Sequence, residues 1–181
     1  MRVHHDPEPD AKVWDPVVLQ PGYYTAETLP MIPVADGDPV TVRFASQGGY
    51  VIFAGARAQG LDPGPARIDS ALIDPDTGVA LVVDARVVEL IPSADGSGAV
   101  EPDFQSSANF SHLLPCPNYG ARPVTTADWT LSVKLADPKV EARSGSASIR
   151  VKPTCAPGSR YLNCVCSCEP NYYLGKCGAE H

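Results

Sequence analysis

PVTVRFAS (39–46), GGYVIFAGARA (48–58) and PARIDSALIDPDTGVALVVDARVVELI (65–91) are the runs on which the fold reading rests. Val40, Val42 and Phe44 alternate with Thr41, Arg43 and Ala45, and a period of two gives a strand one apolar face. Val79, Leu81, Val83, Ala85 and Val87 extend the pattern, with Asp84 and Arg86 between them as a cross-strand ion pair or a solvent side. Ser46-Gln47-Gly48-Gly49 and Asp74-Pro75-Asp76-Thr77-Gly78 supply turn residues between the runs. The stretch reads as the middle of a β-sandwich.

Upstream, Val17–Thr25 (VVLQPGYYT) reads as a strand interrupted by Pro21-Gly22, which places it at a sheet edge. Residues 1–16 read as an extended lead with little to bury, and Trp14 as the first side chain to pack. His4, His5, Asp6 and Glu8 have the chemistry of a divalent-metal site, but nothing in the tract fixes a geometry, so no metal is assigned. Downstream, Pro92–Gly98 reads as a loop. Asp103–Leu114 is the nearest thing to a helix, with Phe104, Ala108 and Leu114 able to share a face. Asn109-Phe110-Ser111 matches the glycosylation pattern, which has no consequence in the bacterial setting that the Ala-, Pro-, Gly- and Arg-rich composition suggests.

Leu131, Val133 and Leu135, then Ala147, Ile149 and Val151, alternate with polar residues on either side of Asp137-Pro138 and the 141–145 segment. Val124–Pro153 is therefore expected to be a long hairpin with one wet face. Roughly eight strands at short spacing predict an all-β antiparallel sandwich over 17–153. It resembles the immunoglobulin-like or fibronectin-like architecture, although the Cys…Trp…Cys spacing of antibody domains is missing.

The chain has 181 residues, 44% of them hydrophobic, enough for one domain with a core. Its 19 prolines and 15 glycines suit many turns and oppose long helices. A net charge of −7 argues against nucleic acid as a partner, since phosphates call for a basic stripe. The charge is uneven: 7 basic and 17 acidic residues precede Lys134, and 7 basic and 4 acidic follow from it onward. No run of apolar residues is long enough for a transmembrane segment. Met1-Arg2-Val3-His4-His5-Asp6 does not read as a signal peptide; since the cysteines demand an oxidising compartment, a removed or upstream signal is expected.

Cys116 stands alone, and Cys155, Cys164, Cys166, Cys168 and Cys177 crowd the segment 154–181. Tyr161, Leu162, Val165, Tyr172, Tyr173 and Leu174 are too few apolar side chains to offset the ordering of that segment, so it needs crosslinks. C-x-C-x-C fits zinc poorly, no histidine but His181 is near, and no base suggests a catalytic cysteine. If no two of Cys164, Cys166 and Cys168 pair together, each takes one of Cys116, Cys155 and Cys177. The competing scheme joins Cys116 to Cys155 and Cys164 to Cys168. Either one yields a small disulfide-rich tail at the hairpin's open end, in a secreted, periplasmic or outer-surface lipoprotein setting.

No hydrolase, metalloprotease, phosphate-loop or dinucleotide motif is present, so no catalytic residue and no cofactor are assigned. Ser111-His112 are neighbours whose side chains diverge, and Glu101 with Asp103 is a pair any acidic protein offers. Asp74–Gly78 lacks the rest of a calcium loop and reads as a turn. The expectation is a binding or structural module with a protein or glycan partner at the cell surface. The alternative is an extracytoplasmic hydrolase or inhibitor. Within the tail, Tyr172 and Tyr173, flanked by Glu169 and Lys176 between Cys168 and Cys177, have the composition of an interface anchor.

Overall fold

The computed structural model describes residues 14–25, 28–46, 48–140 and 143–177. His4, His5, Asp6 and Glu8, like most of the expected extended lead and the terminal His181, lie outside the described residues. Among the described residues, ten strands and one short α-helix follow in order: β1 Val18–Thr25, β2 Thr28–Pro33, β3 Asp38–Phe44, β4 Tyr50–Gln59, β5 Gly64–Ile73, β6 Ala80–Pro92, β7 Val100–Pro102, β8 Ser111–Cys116, β9 Trp129–Ala136, β10 Ser144–Cys155 and α1 Tyr161–Ser167.

The pairing order β4-β3-β10-β9-β5-β6-β7 returns to β4 through Ala58 and Val100, which makes a closed seven-strand barrel. This corrects the immunoglobulin-like or fibronectin-like sandwich. Alternation shows that a strand has one buried face, and that is equally true of a sandwich wall and a barrel wall. Closure depends on two pairings with no periodic signature. One is the three-residue β7, which bridges β6 to β4. The other is β3 against β10, which run parallel, contrary to the all-antiparallel expectation.

The barrel core holds the alternating positions Val40 and Val42 of β3, Ile52 to Ala58 of β4, Ile68 and Leu72 of β5, and Leu131 to Leu135 of β9. The expected β9–β10 hairpin forms, with Ile149 opposite Leu131 and Ala147 opposite Val133. β4 is covered on both sides. Its outer face carries a second cluster of Tyr24, Met31 and Phe110, with Phe53 and Phe104 against it. Gly55 permits this, because a Cβ there would lie 2.8 Å from the Tyr24 ring.

Two local expectations, for β1 and β6, are also corrected. β1 is not an edge strand: it pairs with β4 along its length and with β2 at its end. Pro21 is tolerated because its carbonyl, and hence its nitrogen, faces the side where β2 has ended, and that carbonyl accepts from Val34 N–H at 3.0 Å. Asp103–Leu114, where a short strand or a turn or two of helix was expected, holds a 3-10 turn at Ser107–Asn109 and then β8, and the α-helix forms at Tyr161. β6 turns opposite to its expected sense, with Val79, Val83 and Val87 exposed while Val88 and Leu90 are buried. Adjacent valines (Val82-Val83, Val87-Val88) make the period ambiguous. The choice falls to Asp84 and Arg86, which sit on the more covered side as an ion pair of 2.7 Å within one strand.

Candidate functional site

The Asp74–Gly78 turn between β5 and β6 is closed by Gly78 N–H on Asp74 C=O at 2.8 Å and by Asp76 N–H on the Asp74 carboxylate at 2.9 Å. Arg122 reaches across to it, 2.6 Å from Asp76 and 3.1 Å from Asp74, and donates to Asp128 C=O at 3.1 Å. Its guanidinium lies 5.5 Å from the centre of the Trp129 ring. The Asp74 carboxyl is held below its ordinary value, chiefly by the Asp76 N–H and also by the Arg122 charge. The bond that Arg122 donates to the Asp76 carboxylate raises Arg122 in turn.

Arg122 belongs to the segment after β8, which begins at the cis Cys116–Pro117 peptide. Asn118 organises that segment from a fully buried position. Its amide donates to Arg122 C=O at 2.8 Å and Cys168 C=O at 3.2 Å, and its carbonyl accepts from Gly120 N–H at 2.9 Å. Between this segment, the 74–78 turn and the end of β8 lies a cleft of about 720 Å³. Its walls are mainly apolar, from Val79, Leu81, Leu114, Pro115 and Trp129, with Tyr119 on the rim.

The tail packs beside this cleft. Its bridges are Cys116–Cys168, Cys155–Cys164 and Cys166–Cys177, one of the arrangements in which no two of the central three cysteines join. The helix explains the choice: Cys164 and Cys168, four residues apart, share its buried face, and Cys166 points elsewhere. The sulfurs of Cys155, Cys164 and Cys168 lie within 4.8 Å of one another, yet each is engaged in a disulfide, so they form no thiolate site. Tyr50 ties the helix to β4 by donating to Asn163 Oδ1 at 2.7 Å. Asn171 and Tyr172 N–H groups donate to Gly120 and Asn118 carbonyls at 2.9 and 2.8 Å.

The loop expected between Cys168 and Cys177 is closed by Cys166–Cys177 instead. Tyr172 is half-buried and meets Tyr119 edge-on, centroids 5.9 Å apart and rings at 79°. Tyr173 and Leu174 are exposed. Glu169 and Lys176 pair with each other at 3.5 Å, and Lys176 also donates to Pro170 C=O at 2.9 Å. Tyr119 connects the tail tyrosines to the cleft. Nothing in the sequence around Tyr119 marks it for this role.

The other candidates are taken up structurally. Ser111 is fully buried and donates to Asp84 at 2.9 Å, while the His112 ring rests on Phe53 at 5.1 Å. Burial pushes the Asp84 carboxyl up, but Arg86, the His112 N–H and the Ser111 hydroxyl outweigh it and hold it below the usual value. Glu101 is buried on Arg57 at 3.1 Å, and Asp103 accepts from Gln105 N–H at 3.1 Å, so the two carboxylates work apart. Asn109 of the glycosylation pattern accepts from Glu89 N–H at 3.1 Å. Burial pushes the Tyr24 phenol far up, and its hydroxyl has no hydrogen-bond partner among the described residues.

Three disulfides indicate an oxidising, extracytoplasmic environment. Among the described residues no helix is long and apolar enough to cross a membrane. Compared with protein-family models and with curated proteins, the chain gives no match.

Proposed function

We propose that this chain is a bacterial binding module, secreted or anchored at the cell surface, and that its partner is a protein. The observation that carries the reading is the continuity of the apolar cleft, through Tyr119, with the crosslinked loop that exposes Tyr173 and Leu174. Apolar surface rimmed by polar groups favours partner binding, and aromatic anchors on a crosslinked loop lose little entropy when a partner arrives. A glycan platform needs roughly coplanar rings, and Tyr119 and Tyr172 stand at 79°. Hydrolysis calls for a carboxylate pair free to exchange protons, whereas Asp74 and Asp76 both face Arg122. Tyr172, Tyr173, Glu169 and Lys176 flank the surface, with the last two holding the loop.

The test is site-specific photo-crosslinking in the cell envelope, with the photoreactive residue at Tyr119 or Tyr173 and a control at Lys134, exposed on β9 and not among the cleft's lining residues. Discrete adducts from the first two positions and none from Lys134 support the reading. Equal labelling from all three, or none from any, overturns it.

A further inference from the structure

Among the described residues, part of one strand edge in the barrel wall has no strand hydrogen-bonded to it. β6 pairs with β5 along nearly its whole length, but on its other side only Leu90–Pro92 has a strand partner, β7. β8 pairs with β4 alone. Across the seam between β6 and β8, side chains stand in for a ladder. The Asp84 carboxylate accepts from His112 N–H at 3.0 Å and from the Ser111 hydroxyl at 2.9 Å. Glu89 N–H donates to Asn109 Oδ1 at 3.1 Å, and Glu89 C=O accepts from Asp103 N–H at 2.8 Å.

These bonds fix which backbone groups face the seam. Glu89 turns both of its main-chain groups toward it, so alternation turns those of Val87, Ala85 and Val83 the same way, away from β5. Toward the 74–78 turn the register shifts from Leu72 opposite Val82 to Ile73 opposite Ala80, leaving Leu81 as an extra residue. Such a bulge bends a strand and ends its pairing, and here the two strands part around the cleft. The facing side offers little main chain to pair with, because Pro115 has no N–H.

Val79 itself is spent in the turn, its N–H donating to Thr77 Oγ1 at 3.3 Å and its C=O accepting from Asp74 N–H at 2.9 Å. We propose that the Ala80–Val83 edge of β6 receives an extended peptide segment of the protein partner, added as a short strand whose apolar side chains enter the cleft. This rests on the protein-binding reading above and names how the partner is held. An unpaired edge beside an apolar trough is the arrangement of strand addition: main-chain bonds give affinity and alternate side chains give specificity. The charge at the rim selects the segment further. Asp74 and Asp76 outnumber the single Arg122 between them, Asp76 is 74% exposed, and the whole chain carries −7. A peptide with alternating apolar residues and a lysine or arginine fits this rim, and an anionic lipid tail does not.

The experiment is selection of a random-peptide phage library on the full oxidised chain, followed by affinity measurement on a synthetic copy of an enriched peptide. Three variants accompany it: Val83→Pro, which deletes an N–H that no strand uses; Leu114→Trp, which fills the cleft from an exposed position; and Tyr172→Ser/Tyr173→Ser. Melting curves check that each is folded, and Leu114→Trp decides the matter should Val83→Pro fail to fold. The expected result is a cationic, alternating peptide whose binding weakens about tenfold with alternate backbone N-methylation and with Val83→Pro, the cost of a main-chain bond. Leu114→Trp should weaken it as much, and added salt and the tyrosine variant less. An enriched peptide that tolerates N-methylation and Leu114→Trp overturns strand addition. If such a peptide is lost only in the tyrosine variant, the protein-binding reading survives and the edge proposal alone falls. A selection that enriches nothing also overturns the edge proposal, while the crosslinking result stands independently.

Discussion

Leu131, Val133 and Leu135 of β9 are fully buried, and a few such strands fill the barrel; the tail from 156 to 177 places only Cys164 and Cys168 in that same core. The first region is ordered by burial of apolar surface, which needs no covalent help once several strands share it. The second has its exposed Tyr161, Leu162, Tyr173 and Leu174 facing solvent and is ordered by sulfur–sulfur bonds and by carbonyls lent by the Asn118 segment. Apolar side chains of the kind that the barrel buries are, in the tail, left exposed.

The sharpest way to break this comparison is Cys116→Ser with Cys168→Ser. That bridge joins residues 52 apart, so loop entropy assigns it about 4 kcal/mol, the largest of the three. Denaturation should register a loss of that order. Amide exchange should rise in α1 and in 118–124 while β9 stays protected. If β9 opens together with α1, tail and barrel form one cooperative unit and the contrast is false.

Removing Cys166 and Cys177 by the same substitution should do less. The bridge spans 11 residues, worth about 3 kcal/mol, and its effect should be confined to the loop it closes. Exchange should quicken at 169–176 and leave α1 protected. An equal or larger stability loss than with the first pair would mean that loop length does not govern the tail.

How much of this was legible beforehand divides along the same line. The β9–β10 hairpin could be read because one face is apolar and the other polar from Trp129 to Leu135 and from Ser146 to Cys155, and the need for disulfides because the tail lacks a core. β6 could not, because valines at both parities left the choice to Asp84, whose partners Ser111 and His112 come from a distant strand. Barrel closure rests on three residues of β7 and on one parallel pairing, neither of which leaves a periodic trace. The cleft draws on the 74–78 turn, the end of β8, Trp129 and the Asn118 segment, so only folding assembles it. Tyr172 and Tyr173 stood out because cysteines flank them, and Tyr119, their link to the cleft, had no such marker.

Asp84→Asn sharpens the comparison inside the barrel, where a carboxylate does what a ladder does elsewhere. Its folded pKa lies below the ordinary value of about 3.9, so its stabilisation is fully present above that pH and is lost as pH falls through the lowered folded value. The native chain should therefore melt lower, and exchange faster at His112, below about pH 4. The asparagine variant should lack that pH dependence and start about 1 kcal/mol lower at neutral pH, a figure kept small because solvent screens the group. A pH profile identical in both chains would mean that Asp84 does not close the seam.

The smallest effect is expected where the tail meets solvent. Tyr173 is 66% exposed, so Tyr173→Ser should change stability by less than about 0.5 kcal/mol. Tyr172 meets Tyr119 edge-on at 5.9 Å, and an aromatic pair of that kind is worth about 0.5–1.5 kcal/mol, discounted here because Tyr119 is itself exposed. Tyr172→Ser should then cost at most about 1 kcal/mol, and most of that should vanish in a Tyr119→Ser background. Thermal melts of the two single variants and the Tyr119/Tyr172 double-mutant cycle measure this. A coupling near zero would show that Tyr172 is not braced by Tyr119, and that the rim of the cleft and the tail loop present two separate surfaces. A loss of several kcal/mol from Tyr173→Ser would place that side chain among the supports of the fold and remove it from the partner surface.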